Sequence, residues 1–278
     1  MAEWLCSGLQ IRGRRFDSDL SLHKFFVCPG GGIGRHKGLK IPRRQLRAGS
    51  SPALGTSSFY MKVSDAVNSR KSIRAFLDKP IETKLLVSLL KLASRSPSGG
   101  NLQPWHIYLL NGKKMSDFKK FMNEWQDPEQ PQYEIYPPKL KEPYRTSRFE
   151  LGEAMYKLLD IPRDDKAARF AHLMENFNFF GAPAAIFCFV DETMGPPQWS
   201  DLGMFLQTFM LLAQEQGIDT CAQEAWSVKP DSLREFFSVP EELNIFCGMA
   251  IGYKDTQAKV NELHSERRSA DEWLTIFE

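Results

Sequence analysis

The segment Gln198–Gln216 constrains the fold of this 278-residue chain more than any other stretch. It is predicted to be the longest helix of the chain, and its apolar residues extend nearly all the way around it. A helix of this kind has to be buried on most sides, either in a protein core or between subunits. The fold must therefore place neighbouring elements against more than one face of it.

The rest of the body mixes helices and strands in an irregular order. A helix is predicted at Glu82–Ser94, because its leucines fall at helical spacing and Pro97 and Gly99 end the pattern. Four strands are also predicted: Trp105–Leu110, Ala184–Val190, Asp219–Gln223 and Ile245–Tyr253. The order contains no strict βαβ repeat, so the fold class is predicted to be α+β.

Residues 1–60 differ from the body in composition. They carry 10 Lys and Arg against 3 Asp and Glu, a net charge of +7, whereas residues 61–278 carry 26 against 31, a net charge of −5. The basic segment is expected to be a disordered tail, an organelle-targeting peptide, or a stretch translated from a start upstream of Met61. The domain organisation is therefore predicted as a basic extension over 1–60 and one domain over 61–278.

Composition also limits the partners and the compartment. The mildly acidic body argues against nucleic acid, and no apolar run reaches the roughly 18 residues of a membrane helix. Five scattered cysteines without a C-x-x-C pair argue against a disulfide framework and for a reducing compartment, and the apolar runs around Cys188 and Cys247 predict buried free thiols there. A cytoplasmic location follows, or an organelle if residues 1–60 are a targeting peptide. The five histidines are too dispersed to predict a metal site.

Two kinds of motif carry the functional signal. The stretch "SRSPSGGNLQPWHIYLL", from Ser94 to Leu110, places three helix breakers and two side-chain amides between a helix and a strand. Such a loop lets a ligand approach the backbone closely. The stretch "NSRKSIRAF", from Asn68 to Phe76, concentrates cations that form either a solvated helix end or a phosphate site, and a second basic pair, Arg267–Arg268, lies near the end of the chain.

These motifs together resemble the FMN-dependent nitroreductase family. The resemblance covers residues 61–278, and "PSGGNLQPWH" is its most specific part. The wording of "QWSDLGMFLQTFMLLAQEQGIDTCAQEAW" and "NIFCGMAIGY" further resembles the nitrobenzoate reductase branch. The resemblance implies a homodimeric α+β fold, with a central, mostly antiparallel sheet flanked by helices and FMN bound at each subunit interface.

The resemblance also implies a role for each motif. Arg70, Lys71 and Ser72 would hold the phosphate and ribityl chain of FMN. Arg74 would lie near flavin N1 and O2, where its charge stabilises the reduced ring, and it is the expected catalytic residue. Arg267 matches a late phosphate-binding arginine of the family, and Arg268 is a second candidate.

Two further segments would contact the flavin ring. Glu224 and Ala225 match the segment whose backbone faces flavin N5. The residues of the glycine and amide loop would approach the cofactor, largely from the partner subunit: Pro97, Ser98, Gly100, Asn101 and Gln103. The sequence departs from some relatives at Ser265, where they have a lysine.

The activity implied by the resemblance is reduction of nitroaromatics or quinones by NADH or NADPH, in a ping-pong reaction through FMN. No feature selects one nicotinamide. Two alternatives stay open: a flavin-dependent reductive dehalogenase, for which Glu153, Tyr156 and Lys157 have the appropriate residue types, and a non-catalytic FMN-binding protein.

Two readings also stay open for the aromatic residues around the site. The proline- and tyrosine-rich stretch Asp127–Arg148 is predicted to be either a lid that places Tyr133 or Tyr136 in the acceptor pocket, or a surface loop. Trp226 is predicted to line that pocket or to be a buried structural residue.

Overall fold

Five strands form one sheet in the computed structural model, which describes residues 61–278; the predictions for residues 1–60 lie outside the described residues. The strands are β1 (Phe76–Leu77), β2 (His106–Asn111), β3 (Ala184–Asp191), β4 (Asp219–Gln223) and β5 (Leu243–Lys254). Their order is β1-β5-β3-β2, and β4 also pairs with β5. All these pairings are antiparallel, so the predicted α+β class is confirmed.

Seven α-helices surround the sheet in the described part of the chain. They are α1 (Val63–Ser69), α2 (Thr83–Ala93), α3 (Lys113–Glu124), α4 (Tyr144–Leu158), α5 (Lys166–Met174), α6 (Pro196–Glu215) and α7 (Pro230–Phe237). Short 3₁₀ helices occupy Gly99–Asn101, Glu175–Gly181, Glu224–Val228, Lys259–Glu262 and Ala270–Glu272. Within residues 61–278, no helix is long and apolar enough to cross a membrane.

Strand β3 lies in the middle of the core, and both of its faces are buried. Phe187 and Phe189 point to one face, where they pack with Phe118 of α3 and Trp226. Ile186, on the opposite face, packs with the residues of α2 and α6. Because successive side chains of a strand alternate between faces, one continuous apolar run supplies both cores.

The long helix predicted around Gln198–Gln216 is confirmed as α6. It begins at Pro196, which suits the first helical position because the missing N–H would have no partner there. Leu202, Phe205 and Phe209 lie on its buried face against the sheet. The described part of the chain leaves its other side only partly covered.

The irregular stretch before α4 is shorter than predicted. Helix α4 begins at Tyr144, so the last residues of the predicted 127–148 loop are helical. Every residue of α4 remains at least partly exposed, and its apolar periodicity is weak. For this reason the pattern did not reveal where the helix starts.

The Trp226 side chain is fully buried and forms part of the core. Its ring stacks on Phe179 with a centroid distance of 4.9 Å, and it meets Phe187 edge-on at 5.0 Å. The ring also lies directly over Gly248 of β5. Of the two predictions for Trp226, the one of a buried structural residue is therefore correct.

We expect Gly248→Ala to destabilise the protein. A Cβ at position 248 would lie 2.2 Å from Cδ1 and 2.9 Å from Cγ of Trp226, and the packed ring has no room to withdraw. The free energy of unfolding should fall by about 1–3 kcal/mol, measured by urea denaturation followed by circular dichroism. As a control, Gly152→Ala in α4 meets no atom within 4 Å and should stabilise the protein slightly. Equal stability of wild type and Gly248→Ala would contradict the packing described.

Candidate active site

Two adjoining cavities lie beside the carboxyl end of α1 and the amino-terminal half of β5. The smaller cavity has a volume of about 380 Å³ and the larger about 830 Å³. Arg74, Leu151 and Gln207 line both cavities, so the two are continuous with one another. A single elongated ligand can therefore extend from one into the other.

The smaller cavity is basic. It is lined by cations from both ends of the described chain, together with hydroxyl groups: Arg70, Lys71, Ser72, Arg74, Ser265 and Arg267. The Nε of Arg70 is buried and has no hydrogen-bond partner among the described residues. A buried donor without an acceptor is costly, so this cavity is suited to an anion such as a phosphate.

Arg267 is held in this cavity by its own chain segment. Its Nη1 donates to the Ser265 carbonyl at 2.9 Å, to Ser265 Oγ at 2.8 Å and to the Glu266 carbonyl at 3.1 Å. The serine at position 265 thus orients the guanidinium. Arg268, which was predicted as a second candidate, lines neither cavity; its guanidinium lies 5.7 Å from the centre of the Tyr144 ring.

Asn261 joins the two basic clusters, although they are far apart in the sequence. Its Oδ1 accepts a hydrogen bond from the backbone amide of Arg74 at 2.8 Å. Its Nδ2 donates to the carbonyls of Ala75 at 2.8 Å and Asp255 at 2.9 Å. One side-chain amide therefore fixes the Arg74 segment against the chain that leads to Arg267. Sequence reasoning missed this residue, because nothing near it in the sequence signals its partners.

The larger cavity, here called the aromatic cavity, has six aromatic side chains among its lining residues. Tyr133 meets Trp199 edge-on with a centroid distance of 5.3 Å, and Trp199 meets Phe246 at 5.5 Å. The Tyr133 hydroxyl donates to the carbonyl of Phe246. Burial raises the pKa of Tyr133, so the phenol stays protonated and keeps this bond. Tyr136 also lines the cavity, so both tyrosines predicted for an acceptor pocket lie there.

A few ionisable groups line the aromatic cavity. Arg74 lies where the two cavities meet, and Glu224 lines the aromatic cavity just beyond the end of β4. Its neighbour Ala225 also lines this cavity. Burial raises the pKa of Glu224. Burial, and secondarily the charge of Arg74, lowers the pKa of His172, which therefore favours the neutral imidazole.

The glycine and amide loop lines neither cavity in the described chain. Pro97, Ser98, Gly100, Asn101 and Gln103 lie between α2 and β2, and most of them are exposed. The backbone has positive φ angles of 58° at Gly100 and Asn101 and 51° at Gln103. The buried Asp201 of α6 accepts from the Gly99 amide at 3.1 Å and fixes the start of this loop. Such a strained and anchored conformation is typical of functional loops.

The residues named for reductive dehalogenation do not converge. Glu153 accepts from Arg169 at 2.7 Å and is held in that ion pair. Tyr156 lines the aromatic cavity, but Lys157 lies in a separate surface depression. The three cysteines in the described residues are Cys188, Cys221 and Cys247; all are buried free thiols, as predicted.

Comparisons with known proteins agree with this architecture. The family model described as the nitroreductase family matches residues 67–253. The 4-nitrobenzoate reductase of Pseudomonas putida is 35% identical over 205 residues, which are 73% of this chain and 90% of that protein. The nitrobenzene nitroreductase of Ectopseudomonas oleovorans is 31% identical over 222 residues, 77% of this chain and 96% of that protein.

A solved structure gives the same result. The crystal structure of the FMN- and NADPH-dependent nitroreductase NfnB from Sphigopyxis sp. strain HMH superimposes with a TM-score of 0.74 at 38% identity. The match covers 78% of this chain and 99% of that one. The chain therefore belongs to the nitroreductase family, as the motifs predicted.

We expect Asn261→Asp to loosen the junction between the basic clusters. The carboxylate keeps an acceptor for the Arg74 amide but loses both donors and faces two carbonyl oxygens. Stability to urea should fall by about 1–3 kcal/mol, and the Arg74 amide should exchange with deuterium faster. Asn123→Asp, at an exposed position of α3 with no side-chain hydrogen bond among the described residues, should change stability by less than about 0.5 kcal/mol. Unaltered exchange at Arg74 would show that Asn261 is dispensable.

Proposed function

We propose that this protein is an FMN-dependent oxidoreductase that uses NADH or NADPH to reduce nitroaromatic acceptors. The observation that carries the proposal is the basic cavity, with its buried unpartnered Arg70 Nε, opening into a larger aromatic cavity. An anionic tail and a flat ring system are the two parts of FMN. The names of the relatives, which are nitrobenzoate and nitrobenzene reductases, support the class of acceptor.

The residues present fit this cofactor. Arg70, Lys71, Ser72 and Arg267 would hold the phosphate, and the buried Arg70 Nε would gain the acceptor that it lacks in the protein. Arg74 would set its charge against the edge of the ring where negative charge develops, which is its proposed catalytic role. The backbone at Glu224 and Ala225 would face the ring from the end of β4. When bound, FMN supplies the hydride chemistry.

The proposed kinetic order is ping-pong. Because one aromatic cavity lies beside the ring position, the nicotinamide and the acceptor would use it in turn. Nitroaromatic acceptors are favoured by the names of the relatives, and quinones are proposed as further acceptors on chemical grounds. Residues 61–278 are proposed to carry this activity as one domain, separate from the basic extension.

A homodimer is proposed on the placement of the glycine and amide loop. Asn101 and Gln103 line neither cavity of their own chain and are exposed, and Leu102 between them is 53% exposed. A loop with a strained backbone and exposed amides would therefore contact the flavin of a second copy. In this arrangement each subunit completes the site of the other.

Reductive dehalogenation is not favoured by the structure. That alternative needs Glu153, Tyr156 and Lys157 together over the acceptor, whereas Arg169 holds Glu153 and Lys157 lies outside the aromatic cavity. A non-catalytic FMN-binding protein is the remaining alternative.

The absorbance spectrum of the purified protein tests the proposal. We expect a flavin spectrum that bleaches on anaerobic addition of NADPH or NADH and recovers when nitrobenzene is added. A bound flavin that neither nicotinamide bleaches would favour the non-catalytic alternative. Protein that has no flavin and takes up none when FMN is added would refute the site assignment.

We expect Arg70→Ala to weaken FMN binding by about 1.5–3 kcal/mol, the range for hydrogen bonds to a charged group. This loss corresponds to a Kd about 10- to 100-fold higher, measurable by quenching of FMN fluorescence on titration with apoprotein. Arg95→Ala removes an exposed arginine that lines neither cavity, so its Kd should match that of the wild type. If both variants bind FMN equally, Arg70 does not hold the phosphate.

A further inference from the structure

The stretch between α3 and α4 forms one wall of the aromatic cavity. Residues 133–136 line the cavity, and Tyr133 contributes its ring there. Residues 129–133, which precede and include that ring, are here called the wall segment. The structure attaches this segment to the core at three points, so it is neither a free lid nor a plain surface loop.

The first attachment is a buried carboxylate. The Glu129 side chain is only 1% exposed, and its Oε2 accepts from the Ser232 backbone amide at 2.9 Å and from Ser232 Oγ at 3.2 Å. Its Oε1 lies 3.2 Å from Nζ of Lys229. Ser232 is the third residue of α7, so its amide is one of the donors that a helix cannot satisfy internally.

Glu129 therefore supplies a cap that α7 lacks. The residue at the N-cap position, Lys229, makes no capping bond with its side chain. A carboxylate at a helix N-terminus is stabilised by the exposed amides and by the helix dipole. A buried carboxylate is tolerated only with such compensation, and this specific geometry fixes where residue 129 can lie.

Gln132 and Tyr133, which lie within four residues of Glu129, make the second and third attachments. The Gln132 amide donates to the Ser227 carbonyl at 2.7 Å, and the Tyr133 hydroxyl donates to the Phe246 carbonyl. Ser227 lies two residues after Ala225, and Phe246 lies in the first third of β5. The wall segment is thus tied to the same elements that line the floor of the cavity.

We propose that Glu129 is a positioning residue that holds the Tyr133 ring in place as a fixed wall, and that this wall determines which sizes of nitroaromatic acceptor enter the cavity. The inference rests on the proposed function and extends it to acceptor selectivity. Because the Tyr133 hydroxyl is committed to a backbone carbonyl, the ring acts by occupying space. Releasing Glu129 removes the cap from α7 and lets the ring move out of the cavity.

The test compares an acceptor of three fused rings with a one-ring acceptor. 2-Nitrofluorene and nitrobenzene compete in one reaction with the full-length holoenzyme, and the ratio of their kcat/KM values is measured. This ratio does not depend on the fraction of active protein, so a merely structural loss leaves it unchanged. We expect Glu129→Ala to raise the ratio in favour of 2-nitrofluorene about tenfold, the scale on which pocket size discriminates substrates.

Asp191→Ala is the matched control. The Asp191 carboxylate also accepts from a backbone amide and a hydroxyl, both of Thr193, but it lines neither cavity. The ratio of kcat/KM values for the two acceptors should therefore be the same in Asp191→Ala as in the wild type. The Kd for FMN should stay within about twofold of wild type in both variants, because the basic cavity lies away from the wall segment.

Tyr133→Phe gives a second, independent measurement. It removes the hydroxyl attachment and keeps the ring, so we expect a smaller rise in the same ratio of kcat/KM values. In the double variant with Glu129→Ala, the rise in this ratio should be smaller than the product of the two single rises. If Glu129→Ala does not fold, the ratio of kcat/KM values measured with Tyr133→Phe tests the inference alone. An unchanged ratio in the folded variants overturns the inference, whereas a wild-type protein whose flavin no nitroaromatic reoxidises refutes the proposed function itself.

Discussion

The antiparallel pairing of β3 with β5 is the constraint on which the rest of the structure depends. Both strands are buried over most of their length, so their backbone groups are satisfied by each other and by the neighbouring strands. At one end of β5, Phe246 and Cys247 line the aromatic cavity. In the middle, Gly248 makes room for Trp226. At the other end, the chain continues to Asn261 and the basic cavity. Strand β5 thus contributes to the aromatic cavity, accommodates Trp226 and leads to the segment beside the basic cavity.

Polar side chains in or near the core then connect distant segments to this framework. Asn261 joins the Arg74 segment to the chain that leads to Arg267. Asp201 fixes the glycine and amide loop on α6, and Glu129 fixes the wall segment on α7. Each of them accepts from or donates to backbone groups, which would lose that partner if the side chain were removed. The site is therefore positioned by hydrogen bonds to the backbone more than by pairs of charged side chains.

The sequence predicted the parts of the fold and of the site that depend on local pattern. Strand β4 has the predicted bounds, and α6 was found from its long, mostly apolar sequence. Lys71 and Ser72, which line the basic cavity, were predicted as site residues from the resemblance of their motif to the family, because the local cluster alone also fits a solvated helix end. Asn261 and Glu129 could not be found in this way, because their partners lie elsewhere in the chain. The start of α4 was missed because a helix without a buried face has little periodicity to detect.

In the proposed function, the division of the site into two cavities would separate affinity from selectivity. The basic cavity would hold an anionic group by charge and hydrogen bonds, which depend on the identity of a few residues such as Arg70. The aromatic cavity would discriminate by shape, which depends on how firmly its walls are attached, because a packed ring excludes a ligand only if it cannot move aside. Of the three residues that line both cavities, Arg74 carries the charge, so its guanidinium can act on a ligand in either cavity. Changes in the wall segment can therefore alter which acceptors fit while the residues around the phosphate site stay unchanged.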